Sequence, residues 1–129
     1  MALIRYKKTV VASASNAASA TTRGILDLTA EAGDIYGGII TAKITNGATG
    51  PTIPCSINVL ISHETVLPSA GSAGADWKTL ATFTASTSSN AVLEQYWTFG
   101  PEVRHIEIEF KGNTGQAVTV EAIATLYGD

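Results

Sequence analysis

The segment HIEIEF, residues 105–110, decides the fold class. Its isoleucines and phenylalanine alternate strictly with one histidine and two glutamates. Successive side chains of a β-strand leave opposite faces of the sheet, so this pattern predicts a strand with one apolar and one polar face. Because one solvated face is the ordinary arrangement in an antiparallel sheet, we expect His105, Glu107 and Glu109 to face solvent.

The two glutamates also invite a catalytic interpretation. Alternate residues on one face of a strand lie roughly 6.5–7 Å apart, which overlaps the separation of the two carboxylates in inverting glycosidases. Any strand with a polar face produces the same spacing, however, so the distance does not discriminate. We predict that the chain is not an enzyme, and Glu107 is the residue on which the contrary hypothesis would depend.

The same alternation recurs outward from this segment along the whole chain. It predicts strands near residues 4–11, 23–30, 35–45, 55–62, 77–84, 92–99, 103–111 and 116–127. The connectors, such as residues 46–54 and 68–76, are rich in Gly, Pro, Ser and Asn, which favour turns. Strands at this spacing predict an all-β fold, an antiparallel β-sandwich of about eight strands that is jelly-roll-like.

The last two predicted strands are consecutive, and we expect them to pair as a hairpin. A loop of three residues would pair Lys111 with Gly115 and would place Glu107 opposite Thr119. The alternative register would place Glu107 opposite Glu121. Directly opposed like charges destabilise a strand pair, so the first register is favoured.

Two other stretches carry local predictions. Gly37 and Gly38 interrupt a strand pattern, which is typical of a bulge or kink. The low-complexity stretch at residues 10–22 contains Ser and Asn, whose side chains compete for backbone hydrogen bonds and disfavour a helix. We expect residues 1–22 to form an N-terminal strand and a flexible Ala/Ser-rich arm, and residues 23–129 to form the sandwich domain.

Composition excludes several functional classes. The chain has 129 residues, 45% hydrophobic and 15% charged, so it can bury a core, and its net charge of −3 does not favour nucleic acid. The only cysteine, Cys55, lies in phase with buried apolar positions and is expected to be buried. His63 and His105 lack the spacing of a zinc site, and no stretch approaches the ~20 apolar residues of a membrane span. We therefore expect no metal, no cofactor and no membrane partner.

Motifs of nucleophilic catalysis or phosphate binding are also missing from the sequence. The aromatic residues are more informative. Trp97 and Phe99 share one phase of a strand and are expected in the core, whereas Tyr96 lies in the other phase. Trp77 follows a flexible connector, and two interpretations stay open: a lid on the core or an exposed contact.

In its overall style the chain resembles the small structural proteins of tailed bacteriophage virions. The resemblance rests on the Ala/Thr/Ser/Gly-rich connectors, the absence of disulfides and of a catalytic motif, and the strand pattern ending at TVEAIATLYGD, residues 119–129. Within that group it looks most like capsid decoration, or cement, proteins. This resemblance implies a β-sandwich or jelly-roll module on the outer shell, often trimeric.

We therefore predict a non-enzymatic virion protein, made in the host cytoplasm, that decorates or cements a phage capsid by bridging neighbouring subunits. Its expected partners are the major capsid protein or other virion proteins and further copies of itself, with a trimer favoured. The capsid-facing arm is expected at Ala2–Thr22, with Arg5, Lys7 and Lys8 as charge contacts and Tyr6 as an apolar anchor. A tail or baseplate location stays open.

A second resemblance supports a different class. DWKTLATF, residues 76–83, followed by residues 96–123, is similar in layout to galactose-binding-like jelly rolls. That resemblance implies sugar binding through loop residues, and it makes Trp77, Tyr96 and Trp97 a candidate stacking surface. The carboxylate-rich loops that calcium requires are not apparent.

Overall fold

The computed structural model describes residues 3–31 and 33–129 and contains eight strands. They are β1 Ile4–Asn16, β2 Thr22–Asp27, β3 Ile35–Asn46, β4 Ser56–Ser62, β5 Lys78–Thr84, β6 Val92–Phe99, β7 His105–Lys111 and β8 Val118–Gly128. The described residues form no helix, and therefore no helix capable of crossing a membrane. The all-β prediction is confirmed.

Two four-stranded sheets stack to make the sandwich. Sheet A has the order β1-β8-β3-β6 and sheet B the order β2-β7-β4-β5, with every neighbouring pair antiparallel. The chain crosses from one sheet to the other at every connection except that between β4 and β5. Two interlocked Greek keys of this kind make a jelly roll, as predicted.

The predicted hairpin of the last two strands is wrong. β7 pairs with β2 and β4 in sheet B, whereas β8 pairs with β1 and β3 in sheet A. Residues 112–117 carry the chain across the sandwich, so the apolar sides of the two strands meet in the core. Both registers considered for Lys111, Gly115 and Glu107 are thereby excluded, because the strands share no ladder.

The core fills the space between the sheets with alternate side chains of both. Ile106, Ile108 and Phe110 of β7 are fully buried opposite Val120 and its neighbours on β8. Cys55 is also fully buried, and burial raises the pKa of its thiol to about 11, so it is an inert core residue.

The other local predictions for the core also hold. Phe99 is buried, and Trp97 packs partly buried against the core with its ring centroid 6.4 Å from that of Phe99. The predicted kink is present as a register irregularity between Ile35 and Gly37, where Gly37 has a φ of 145°.

The N-terminal segment is an edge strand of sheet A. β1 pairs with β8 from Ile4 to Asn16, interrupted by irregularities after Thr9 and Val11. At its end the Asn16 amide donates to Asn113 Oδ1 at 2.7 Å, which ties β1 to the β7–β8 connection. Most of the segment expected as an arm is therefore sheet structure, and Ala2 lies outside the described residues.

The edges of the two sheets approach closely beside β1. A Cβ built on Gly24 of β2 would lie 2.1 Å from the carbonyl oxygen of Val10, which no side chain could tolerate. Glycine at this position lets the backbones of β1 and β2 come together. This contact closes one side of the sandwich.

Candidate functional site

The polar row of β7 is buried, which contradicts the expectation that it faces solvent. His105, Glu107 and Glu109 are 0%, 0% and 1% exposed. β7 lies inside sheet B, and the segment at residues 63–77, between β4 and β5, covers the outer side of the sheet. We call this segment the covering loop. Alternation correctly placed the three side chains on one face of the strand, but the covering loop lies against that face where solvent was expected.

His105 holds the start of the covering loop. Its Nδ1 lies 2.9 Å from Oδ1 of Asp27 on β2, and its Nε2 lies 2.9 Å from the carbonyl oxygen of Glu64. Both partners are acceptors, so a ring that carries a proton on each nitrogen donates to both. Burial would raise the pKa of Asp27, but hydrogen bonds from Thr29 and the adjacent imidazole outweigh it and lower that pKa.

Glu109 is the best-satisfied carboxylate of the cluster. Arg23 of β2 forms an ion pair with its Oε2, and the Ser72 hydroxyl of the covering loop donates to the same atom at 3.1 Å. Asn58 donates to Oε1 at 2.8 Å, and Lys111 lies 3.4 Å from that oxygen. Burial alone would raise the pKa of Glu109, but these donors and cations outweigh it and hold the pKa below its ordinary value.

Glu107 is less well satisfied. Its Oε1 accepts the Gly71 backbone N–H at 3.1 Å and lies 3.6 Å from the Arg23 guanidinium. Its Oε2 is buried without a hydrogen-bond partner in the part of the chain that the structure describes. Burial raises the pKa of Glu107, so the two neighbouring carboxyl groups are shifted in opposite directions.

Opposite shifts of this kind suit an acid and a base, and here the covering loop lies against both groups. Gly71 and Ser72 of the loop supply hydrogen-bond donors to the two carboxylates. The cluster therefore holds a loop in one conformation. A buried ion pair is weak evidence for added stability, but removal of one partner leaves an uncompensated buried charge and is strongly destabilising.

Trp77 anchors the other end of the covering loop. Its side chain is 3% exposed, and its Nε1 donates to the Ser69 carbonyl at 2.8 Å. The Gly74 N–H donates to the Trp77 carbonyl at 2.8 Å. Trp77 is therefore not an exposed contact, but it lies under the covering loop and is not among the residues of the core between the sheets.

The outer side of sheet A, which we call the open face, has no comparable cover among residues 3–31 and 33–129. One row runs across all four strands, from Thr9 through Ile123 and Thr41 to Tyr96. Tyr96 is 66% exposed. A shallow groove of about 460 Å³ crosses the face, and its outward side chains are Arg5, Ile39, Thr98, Thr125 and Tyr127.

The structure divides the four predicted contact residues of the N-terminal segment into two pairs. Tyr6 packs against the core and donates to Glu31 Oε2 at 3.3 Å, while Lys8 Nζ lies 2.9 Å from Glu31 Oε1. Arg5 and Lys7 pair with Tyr127 and Thr125 of β8 and so project on the open face. Only Arg5 and Lys7 remain available as charge contacts of the kind predicted.

The candidate sugar-stacking surface does not form. Trp77 lies buried under the covering loop, whereas Tyr96 lies on the open face of the other sheet. Trp97 points into the sandwich and packs against the core. Three aromatic residues on different surfaces cannot stack on one sugar.

Sequence reasoning missed Arg23, Asn58 and Asp27, which complete the buried cluster. Each pairs directly with the polar row, Arg23 and Asn58 with Glu109 and Asp27 with His105. The alternation of side chains within β2 and β4 indicates which residues share a face with these three. The signal that was missing is the strand order, which brings these two strands to either side of β7.

Comparisons with known proteins establish only the fold. No protein-family model matches the chain, and no curated protein sequence matches it. Among solved structures, the K3 cleaved adhesin domain of Lys-gingipain from Porphyromonas gingivalis aligns with a TM-score of 0.58 and 9% identity, over 88% of this chain and 72% of that one. This likeness supports a shared β-fold.

Two further matches are weaker. The protein YomS of the SPBc2 prophage aligns with a TM-score of 0.43 and 18% identity, over 97% of this chain and 96% of that one. A chain from infectious bursal disease virus, Gx strain, aligns with a TM-score of 0.48 and 10% identity, over 98% of this chain and 32% of that one. Neither adds to the assignment of the fold.

Proposed function

We propose that this protein is a non-enzymatic structural component of a virion that decorates or cements the outside of a phage capsid by bridging neighbouring capsid subunits. The observation that carries the proposal is the contrast between the two sheets. On sheet B the chain's own loop covers the polar row of β7, whereas the open face presents four paired strands without such a cover among residues 3–31 and 33–129. The jelly roll is an architecture that capsid proteins use, which agrees with the proposal.

The chemistry of the open face suits a protein partner. Ile39 on the inner strand β3 and Tyr96 on the edge strand β6 are exposed on this face, 37% and 66%. Around them lie threonines and charges of both signs, with Lys43 paired in register with Glu94 and Glu121. Protein interfaces are enriched in aromatic residues and combine apolar with polar contacts, as this face does.

The open face is about the size of one partner's share of an interface. Its four strands are 8–13 residues long and lie about 4.8 Å apart, so they cover roughly 500–800 Å² in projection, against ~800 Å² per partner in a stable interface. Bridging divides that area between neighbouring capsid subunits, so each single contact is small. Simultaneous contacts to several subunits make the whole attachment tight without any strong single contact.

The test is binding to capsids prepared without this protein. Tyr96→Glu and Ile39→Glu should abolish co-sedimentation with the capsids, because each replaces an exposed apolar group of the open face with a charge. The matched control is Leu80→Glu, which changes a 45% exposed leucine on β5 of sheet B and should leave binding unchanged.

Two results would contradict the proposal. Unchanged binding by both open-face variants would remove the open face as the attachment surface. Cryo-electron microscopy that located the protein on the tail or baseplate would replace decoration of the capsid with another virion role. Deletion of residues 2–12 is a poor test, because it removes most of strand β1 from sheet A.

A further inference from the structure

The covering loop is rigidly held and yet exposes apolar side chains at its tip. Contacts to His105, Glu107, Glu109 and Trp77 fix its two halves. Between them, Val66 is 79% exposed and Leu67 is 36% exposed. A fixed loop loses little conformational entropy on binding, so an exposed apolar tip on such a loop is preorganised for a partner.

The tip borders a shallow, open depression of about 520 Å³ with an acidic rim, which we call the acidic cavity. Val66, Leu67 and Pro68 line its apolar side, and Glu64 and Asp76 are among its polar lining residues. Neither carboxylate has an ion-pair partner in the part of the chain that the structure describes. The cavity therefore suits an apolar group that is flanked by a cation.

The chain itself carries a surface of that chemistry at the start of β1. Leu3 and Ile4 are 52% and 55% exposed. Arg5 and Lys7 follow them on the open face and, unlike Lys8, pair with no carboxylate among the described residues. This end of β1 lies on sheet A, whereas the acidic cavity lies over sheet B, so the two surfaces face different directions in one copy.

We propose that the acidic cavity of one copy binds the beginning of β1 of a second copy. Leu3 or Ile4 fills the apolar side of the cavity, and Arg5 and Lys7 lie against Glu64 and Asp76. The two partners contribute different surfaces, so the contact is head-to-tail and closes into a ring or continues as a chain. A ring of three copies is the closed form that corresponds to the predicted trimer.

The contact uses Arg5 and Lys7 of the open face, but it is measured on the purified protein alone, with no capsid present. Light scattering at low ionic strength should show a mass above that of the 13.4 kDa monomer. The association should weaken as salt is added, because it depends on exposed charges. A purified protein that stays monomeric at ~100 μM, the upper range of a weak specific contact, would overturn the inference and leave the capsid proposal standing.

Charge reversal tests the two surfaces separately. The variant Glu64→Lys/Asp76→Lys makes the cavity basic, and the variant Arg5→Glu/Lys7→Glu makes the end of β1 acidic. Each should weaken self-association at least ~10-fold, because like charges then face each other. Arg104→Glu, at an exposed arginine in the β6–β7 connection, is the control and should associate as the unmodified protein does.

Mixing the two reversed variants is the decisive measurement. Each variant is incompatible with itself but complementary to the other, so the mixture should recover the association that each has lost alone. All four substitutions in one chain should also restore self-association. Failure of both to restore it, with circular dichroism and thermal melts showing folded protein, would overturn the head-to-tail contact, as would unchanged mass for either double variant.

Discussion

The outer sides of the two sheets have similar sequence patterns and opposite environments. On sheet B the polar row of β7 carries His105, Glu107 and Glu109 at no more than 1% exposure, under the covering loop. On sheet A the corresponding row reaches Tyr96, which is 66% exposed. Alternation therefore shows which side chains share a face, but it does not show whether solvent or another part of the chain lies against that face.

The cover changes the energetic role of the polar residues. A charge on the open face is solvated and contributes little to stability, whereas a charge under the loop has lost its water and depends on its protein partners. Arg23, Asn58 and Ser72 provide those partners for Glu109. The same residue types should therefore respond very differently to substitution on the two faces.

The largest difference is expected between the aromatic residues of the two faces. Trp77→Ala should lower the free energy of unfolding by about 3–5 kcal/mol, because it empties a buried site under the loop and removes the hydrogen bond to Ser69. Tyr96→Ala should change it by no more than about 0.5 kcal/mol. Urea unfolding of both variants measures the two changes in the free energy of unfolding. Similar decreases in the two variants would contradict the proposed difference between the covered and the open face.

The next largest effect concerns the cations. Arg23→Ala should lower the free energy of unfolding by about 3 kcal/mol, because it leaves Glu107 and Glu109 buried without the guanidinium that they share. Lys43→Ala on the open face is the matched control and should cost no more than about 0.5 kcal/mol. Hydrogen exchange should also show faster exchange at the Gly71 amide in Arg23→Ala. A cost for Arg23→Ala as small as that for Lys43→Ala would mean that the cluster does not hold the loop.

A smaller contrast is expected within the buried cluster itself. Glu109→Gln should destabilise the protein by about 1–2 kcal/mol, because the ion pairs with Arg23 and Lys111 are lost and the bond from Ser72 becomes a neutral one. Glu107→Gln should be neutral or stabilising, because it removes a charge that is buried with one oxygen unpaired. Chemical unfolding at neutral pH gives both values, and equal losses would show that the two carboxylates are equivalent.

The smallest expected effects concern pH. The lowered pKa values of Asp27 and Glu109 add stability above their ordinary values of 3.8 and 4.5, and that stability is lost as the pH falls through the lowered values. The raised pKa of Glu107 has the opposite sign, so its contribution improves as the pH falls from neutrality through the raised value to 4.5. In thermal melts, Glu109→Gln should reduce the loss of stability at acidic pH. Glu107→Gln should remove the gain in stability that the unmodified protein shows as the pH falls from neutrality. An unchanged pH profile in both variants would exclude these carboxyl groups as the source.

Most of the fold was predictable because strand parity is a local property. The eight strands, the kink at Gly37 and the burial of Cys55 all follow from alternation and turn residues. The pairing of β7 with β8 was predicted wrongly. Strands that are adjacent in sequence usually form a hairpin, and the local sequence does not show that residues 112–117 cross to the other sheet. Burial of His105 and of Trp77 was not decided by the sequence either, because both depend on the path of the covering loop.

The sequence by itself determined that this chain forms strands, which side chains share a face, and that a sandwich encloses the apolar ones, because these features follow from a repeat of two residues along an extended backbone. Only the tertiary structure decided which polar face is buried, namely the one along β7. It brings β2 and β4 to either side of β7 and places the covering loop over them. Solvation depends on what packs against a residue from distant parts of the chain, and a local pattern carries no information about that.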